Sequence, residues 1–423
     1  MRVSLWGGKL ASRDIYSVLA VANFRWLWIG SLGASFAMNM QMIARGWLIY
    51  SLTASALDLA WVTISFMFPS VLFSLYGGVL ADRFPKRRLV VIAQTLNCLA
   101  TLVMAAIIFA NKATLWDFIC FGFFNGTVLA LSMPARQAFI PELIPQPLIF
   151  TAMALNNTGW NLSRLIGPAF AGGLIAWIAD GNEQSAFGVG IVYLVIASLY
   201  LVSALTTLLV SVPGSPESAS RSGTLSEMRQ GFDYAFSHPR VLGLLVLSII
   251  PFLFGMPINT LLPAFNQDIL GGHADTLGFL ISAMGGGAIV GSVLMAAMGG
   301  LRNKGRWLVI SALGWGLLTV VFGLSENMLV AVLVMALVGL LSSWNMSLNR
   351  GLLQHEVASG MRGRIMSIDM MSHGLMPLGL LPISWIAQSH GVDVALMVSG
   401  LAFVLLILLS LLLLDAARRA IEA

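Results

Sequence analysis

The sequence predicts an all-α, multi-pass membrane protein with twelve transmembrane helices in two pseudo-symmetric bundles of six. Three observations carry this. The 423 residues are 58% hydrophobic and only 10% charged, with a mean hydropathy of +0.88, so most of the chain has lipid as its solvent. Apolar runs long enough to cross a bilayer recur twelve times, and the basic residues fall almost wholly in alternate connections. Two sequence patterns also repeat at a near-constant offset, which divides the chain into equivalent halves.

Taken in order, residues 1–23 form a polar, basic leader carrying Arg2, Lys9 and Arg13. Its short apolar core at 15–22 has no small-residue cleavage site behind it, so it reads as a surface segment and not as a cleaved signal. The predicted spans are 24–50, 56–80, 88–110, 115–140, 149–178, 187–211, 240–266, 276–299, 305–324, 327–351, 364–388 and 393–414. Of the 23 Lys and Arg, only Lys112 falls in an odd-numbered connection. The leader and the tail at 415–423 are therefore both expected in the cytoplasm, with the protein in a bacterial-type inner membrane.

The longest polar segment, 212–239, opens on Gly214, Ser215, Pro216, Glu217 and Ser218 and reads as a cytoplasmic linker between bundles at 24–211 and 240–414. The repeat supports that division. Ser70-Val71-Leu72 with Gly77-Gly78 recurs as Ser292-Val293-Leu294 with Gly299-Gly300, an offset of 222. Arg136 and Glu142 recur as Arg350 and Glu356, an offset of 214. Two equivalent bundles with a path between them suit an alternating-access carrier.

Charge inside or beside the spans marks the candidate sites. Gly77 to Arg88 (GGVLADRFPKRR) is a tight loop in which Asp82 can pair with Arg83, Lys86 or Arg87 and latch neighbouring helices; the simpler reading is that Arg83, Lys86, Arg87 and Arg88 only hold the loop at one face. Gly78, Leu80, Asp82, Arg83 and Arg87 resemble the charged loop of the major facilitator superfamily, with Pro85 where the family usually has glycine. In the fifth span, Ser163 to Gly173 is similar to the antiporter signature of that superfamily at Arg164, Gly167, Pro168 and Gly172, which implies export; close helix packing explains the same small residues.

Polar side chains at helical spacing give a candidate substrate cavity: Met38, Asn39, Met42 and Arg45 in the first span, Asn125 in the fourth, Asn157, Trp160, Asn161 and Arg164 in the fifth, and Trp344 and Asn345 in the tenth. Arg45 lies near a span end, where it can also snorkel to the headgroups. Trp315 is a further candidate for stacking on a substrate. The 22 methionines suit an adaptable apolar cavity, although such residues more often pack or face lipid.

In the eleventh span Asp369 and His373 share a face with Arg362 and Met366. Low dielectric disfavours the charged form of a carboxylate and histidine changes charge near neutrality, so the pair can carry protons. Asp369 can equally pair with Arg362 or Arg350 as an inner gate, together with Arg136, Glu142 and Glu356. The superfamily's fourth-span arginine motif appears here as Gly122 to Gly126 without its arginine, so coupling must use other groups.

Pro134 to Leu143 and Arg362 to Ser367 resemble the branch that contains the enterobactin exporter and macrolide efflux proteins. The resemblance implies the major facilitator fold and export of an amphiphilic drug or siderophore-like molecule in exchange for protons, with a lysophospholipid flippase or a uniporter as the alternative. It implies no cofactor beyond the proton gradient, no nucleic acid, and a monomer surrounded by lipid. Cys98 and Cys120 lie within spans and imply neither disulfide nor metal cluster. No H-E-x-x-H, G-x-S-x-G or phosphate-binding loop is present, so an intramembrane enzyme has no support; a channel or scramblase differs from a carrier in lacking saturable, gradient-driven flux.

Overall fold

The computed structural model of the chain describes residues 16–179, 186–214, 224–297, 303–358 and 361–413. Fifteen α-helices are described: α1 Ala22–Thr53, α2 Ala56–Arg83, α3 Lys86–Phe109, α4 Leu115–Leu143, α5 Ile149–Ala179, α6 Ala186–Leu208, α7 Thr224–Ser237, α8 Pro239–Ile250, α9 Pro257–Asp268, α10 Ala274–Ala297, α11 Lys304–Gly323, α12 Met328–Glu356, α13 Arg362–Met371, α14 Met376–His390 and α15 Val392–Leu413. Eight segments of these are long and apolar enough to cross a membrane by length and composition alone, one of them running from Pro239 through to Asp268. The other four predicted spans also fall on helices, α1, α2, α5 and the joined α13–α14.

Local chemistry sets the boundaries. Ala54 and Asn111 adopt left-handed backbone between α1 and α2 and after α3, where the chain must reverse within a few residues. The Asp117 carboxylate accepts the Thr114 N–H at 2.8 Å and its hydroxyl at 2.6 Å, which fixes the start of α4. Asn327 accepts the Leu329 N–H at 2.8 Å at the start of α12.

Two predicted spans are broken. Pro251 and Pro257 supply no N–H, and the chain between α8 and α9 relaxes into a π turn over Pro251–Gly255, with Met256 N–H donating to the Pro251 carbonyl at 2.9 Å. The carbonyl of Leu253 abuts Gly379, where any Cβ would overlap it, and the Phe254 carbonyl accepts Ser399 Oγ at 2.6 Å. Between α13 and α14 a 3-10 turn spans Ser372–Leu375, just ahead of Pro377. Such breaks are tolerated inside a membrane where neighbouring groups satisfy the freed backbone.

The chain clusters into two compact units, Met1–Arg45 with Ser65–Ser220 and Gly46–Ile64 with Arg221–Ala423. The first predicted bundle therefore gives up residues 46–64. Gly46 lies against the Pro263 ring, Tyr50 donates to Asp268, Gln267 Nε2 donates to Ser51 at 3.3 Å, and the Ala56 N–H donates to Gln388 at 3.0 Å. The predicted linker contains a helix, α7, whose Gly231 packs on Arg364 and Ile368 of α13.

Each unit is built alike. In the first, α3 packs on α6 and the carbonyl of Phe66 in α2 sits where a Cβ on Gly126 of α4 would be. In the second, α11 packs on α15 and the carbonyl of Met284 in α10 occupies the same place at Gly339 of α12. The apolar residues that remain exposed, such as Leu99, Phe170, Val293 and Leu405, suit lipid as solvent.

Candidate functional site

In the second unit the broken helices converge on a carboxylate. Asp369 of α13 is 2% exposed. Its Oδ1 accepts the Ser248 hydroxyl of α8 at 2.5 Å and its Oδ2 lies 3.8 Å from Arg350 Nε of α12. Beside it is a cavity of about 10 Å³, room for one water, with Pro251, Phe252, Asn345 and Asn349 on its wall. Asn349 donates to the Leu244 carbonyl at 3.0 Å, while its own Oδ1 is enclosed without a partner. Asn345 donates to the Leu308 carbonyl at 3.1 Å. The result is a charge-compensated carboxylate, a free amide acceptor and a single water-sized space at a helix break.

Of the two partners expected for Asp369, the structure pairs Arg350; the side chains of Arg362 and His373 lie outside the described residues. Glu356 is met by Arg240 Nη1 at 3.7 Å and His355 Nδ1 at 4.0 Å. Arg240, at the start of an apolar run, and Ser248, within it, had no other signal in the sequence.

The loop between α2 and α3 ties the neighbouring helices through Lys86 and Arg87. The side chain of Asp82 lies outside the described residues. Lys86 turns inward, 1% exposed, and its ammonium lies 2.5 Å from Glu142 of α4. Arg87 binds the end of α6, its N–H donating to the Pro213 carbonyl at 3.1 Å and its guanidinium to the Leu208 carbonyl. Gly214, with φ at +75°, lies against the Lys86 stem and the Phe139 ring, a place that admits only glycine without strain. Arg83 and Arg88 are exposed, and Gly78 has open space beside it.

The small residues of α5 serve packing. Gly159 meets Leu32 and Trp28, buried Ser163 donates back to the Gly159 carbonyl at 2.8 Å, and Gly167 meets Asn39 and the Phe36 carbonyl, all on α1. Pro168 and Gly172 are buried, while Trp160, Asn161 and Arg164 are half-buried and Asn157 is exposed. On α1, Met38, Asn39, Met42 and Arg45 are half-buried.

Two of the expected candidates, Asn125 and Trp315, are buried, and Trp344 is half-buried. Asn125 is 4% exposed and donates to Asn97 at 3.2 Å. Trp315 is fully enclosed, edge-on to Phe403 at 5.4 Å. Trp344 donates its indole N–H to the Gly291 carbonyl at 2.7 Å and stands edge-on to Trp307, closing the seam of α10 with α12. Tryptophan in a span reads the same from sequence in both settings. Cys98 is buried and Cys120 exposed, and both are free thiols.

Comparison with known proteins agrees with this architecture. The chain is 26% identical over 382 residues to the staphyloferrin A transporter of Staphylococcus aureus, covering 89% of each chain. It is 21% identical to macrolide efflux protein A of Streptococcus pyogenes, over 89% of this chain and 92% of that one. It is 25% identical to the enterobactin exporter of Shigella boydii, over 80% and 76%. Among solved structures, the nucleoside transporter NupG superposes with a TM-score of 0.71 at 15% identity, covering 91% of this chain and 97% of that one. A bacterial homologue of the human lysosomal transporter Spinster gives 0.72 at 12%, covering 93% and 96%. These are transporters and not enzymes. A family profile described as transmembrane secretion effector matches residues 14–422, and the chain belongs to that family of the major facilitator superfamily.

Proposed function

We propose that this transporter exports an amphiphilic small molecule by alternating access, in exchange for protons, with Asp369 as the proton carrier. The observation that carries the reading is the enclosed carboxylate itself: Asp369 is held by Ser248 and Arg350, beside a space for one water, where two helices are interrupted. An ionisable group at such a depth is costly unless it has a partner, and a water beside it offers a proton a route on and off. When Asp369 takes up a proton, Arg350 is released from its counter-charge and is free to move with α12. The printed descriptions of the relatives, a siderophore transporter, a macrolide efflux protein and an enterobactin exporter, support export of amphiphiles. On this reading both termini face the cytoplasm of a bacterial-type inner membrane, the chain acts as a monomer, and no cofactor beyond the proton gradient is needed.

The test is substrate-stimulated proton movement in proteoliposomes, comparing wild type with Asp369→Asn across cationic drugs, macrolides, catechol siderophores and lysophospholipids. Proton flux that follows one substrate class and vanishes in the variant supports antiport. Substrate movement with no proton response overturns it, leaves uniport or lipid flipping, and reduces Asp369 to a gate.

A further inference from the structure

One polar atom beside Asp369 has no partner. Asn349 of α12 is 3% exposed, and its Nδ2 donates to the Leu244 carbonyl of α8 at 3.0 Å. A carbonyl only accepts, so the amide is fixed in that sense, and Oδ1 is the part left over, enclosed and unbonded. Asn349 lines the same cavity of about 10 Å³ as Ser248, Arg350 and Asp369. Asn345, also on that wall, is engaged with the Leu308 carbonyl, and the Ser248 hydroxyl donates to Asp369 Oδ1. Buried acceptors are rarely left empty, and this one borders a space the size of one water.

The guest that fits is a neutral donor. Arg350 lies 3.8 Å from Asp369 Oδ2 and answers its charge, so a metal cation would meet a guanidinium as well as a carboxylate. A water donates twice, one hydrogen to Asn349 Oδ1 and the other to Asp369. Arg350 is 48% exposed, so the cavity that it lines is within reach of solvent on that side. On the other elements packed around α13, Arg240 of α8 is turned to Glu356 and Arg229 of α7 to Asp233; on α13 itself Arg364 is turned to Met361. We propose that Asn349 is a positioning residue for proton loading, its amide oxygen holding a water with one O–H directed at Asp369. The water's oxygen takes a proton from solvent, the O–H directed at Asp369 breaks as the carboxyl O–H forms, and a neutral water is left beside a neutral acid. Unloading is the reverse. The inference rests on the reading of Asp369 as the proton carrier and supplies the residue that feeds it.

The test needs no cargo. The full chain in lipid vesicles is taken through an acid jump, and proton arrival is read as growth of a carboxylic-acid C=O infrared band, assigned to Asp369 by its absence in Asp369→Asn. Asn349→Leu fills the space and removes the acceptor, whereas Asn349→Ser keeps an oxygen and leaves room for water. Both lose the bond to Leu244, so a difference between them cannot come from a tether of α12 to α8. Arrival is expected to slow at least about ten-fold in Asn349→Leu, the scale of one enclosed hydrogen bond, and by no more than about three-fold in Asn349→Ser. In wild type, a water O–H band that shifts in heavy-oxygen water should change together with the C=O band. Wild-type arrival in Asn349→Leu, or equal slowing in both variants, overturns the proposal. Absence of the water band in wild type also overturns it, and decides the matter should Asn349→Leu fail to fold. Sodium that suppresses the C=O band at fixed pH does the same, because it gives the cavity to a cation. Substrate-stimulated proton movement in proteoliposomes keeps the two readings apart: slowed arrival without coupled flux removes antiport and keeps Asn349 as the holder of the water, and coupled flux with arrival unmoved in Asn349→Leu does the reverse.

Discussion

Lys86 and Glu142 meet at 2.5 Å across the start of α3 and the end of α4, with the lysine 1% exposed and the glutamate 25%. The pair joins two helices at the charged loop, and Gly214 and Phe139 enclose the lysine stem from the other side. Removing the carboxylate takes one charged partner from an ammonium with little access to water. Glu142→Gln is therefore expected to destabilise the protein by about 2 kcal/mol, and Lys86→Met to cost less than that. In a double-mutant cycle followed by thermal unfolding in detergent, the combined variant should be less destabilised than the sum of the two. Additive losses would mean that the ion pair contributes nothing.

Much of the architecture was legible in the sequence because it depends on local composition. Span length and the alternation of basic loops need no long-range knowledge, whereas the matching close approaches at Gly126 and Gly339 are not among the repeats the sequence displays. Asp369 stood out for the same reason, as an acidic residue in an apolar run. The partners were not legible. Nothing near Lys86 in the sequence points to Glu142, and Ser248 resembles any small residue in a span until α8 is placed beside α13. The helix breaks had a signal in Pro251, Pro257 and Pro377, which a reading by hydropathy passes over.

The glycine seams make a second prediction. A Cβ at Gly126 would fall on the carbonyl of Phe66, and one at Gly339 on the carbonyl of Met284, both backbone atoms that cannot swing aside. Alanine at either position should force the helices apart and cost about 1–3 kcal/mol. Gly351 is a fair control, because nothing lies within 4 Å of the added atom in a helix interior. Gly351→Ala should be neutral or stabilising by up to about 1 kcal/mol. Melting temperatures of the three variants decide it, and equal values for all would remove close packing as the role of these glycines.

At the end of α1 the Tyr50 hydroxyl donates to the Asp268 carboxylate, with the tyrosine ring 6% exposed. Tyr50→Phe keeps the ring and deletes a hydrogen bond to a charged acceptor. The expected loss is about 1.5–3 kcal/mol, with a lower melting temperature in detergent and faster proteolysis near residue 54. A variant as stable as wild type would show that Asp268 finds another donor at no cost.

Ser248 provides a sharper test of the Asp369 site than removal of the acid alone. The serine hydroxyl holds Oδ1 in place at 2.5 Å, whereas Arg350 approaches Oδ2 from a position that is itself 48% exposed. Water can therefore replace much of what Arg350 provides, but little can replace Ser248. Ser248→Ala is expected to slow proton-coupled efflux several-fold, about the effect of one enclosed hydrogen bond, while Ser248→Thr retains the donor and most of the rate. Arg350→Gln should instead leave folding nearly unchanged, since a half-exposed ion pair contributes on the order of 1 kcal/mol or less. It should nevertheless uncouple proton movement from substrate movement if the arginine is what responds when Asp369 changes charge. Proteoliposome flux with both proton and substrate readouts distinguishes the cases: parallel loss in Ser248→Ala with uncoupling in Arg350→Gln supports the carrier role, and full coupling in both variants would leave Asp369 as a structural residue.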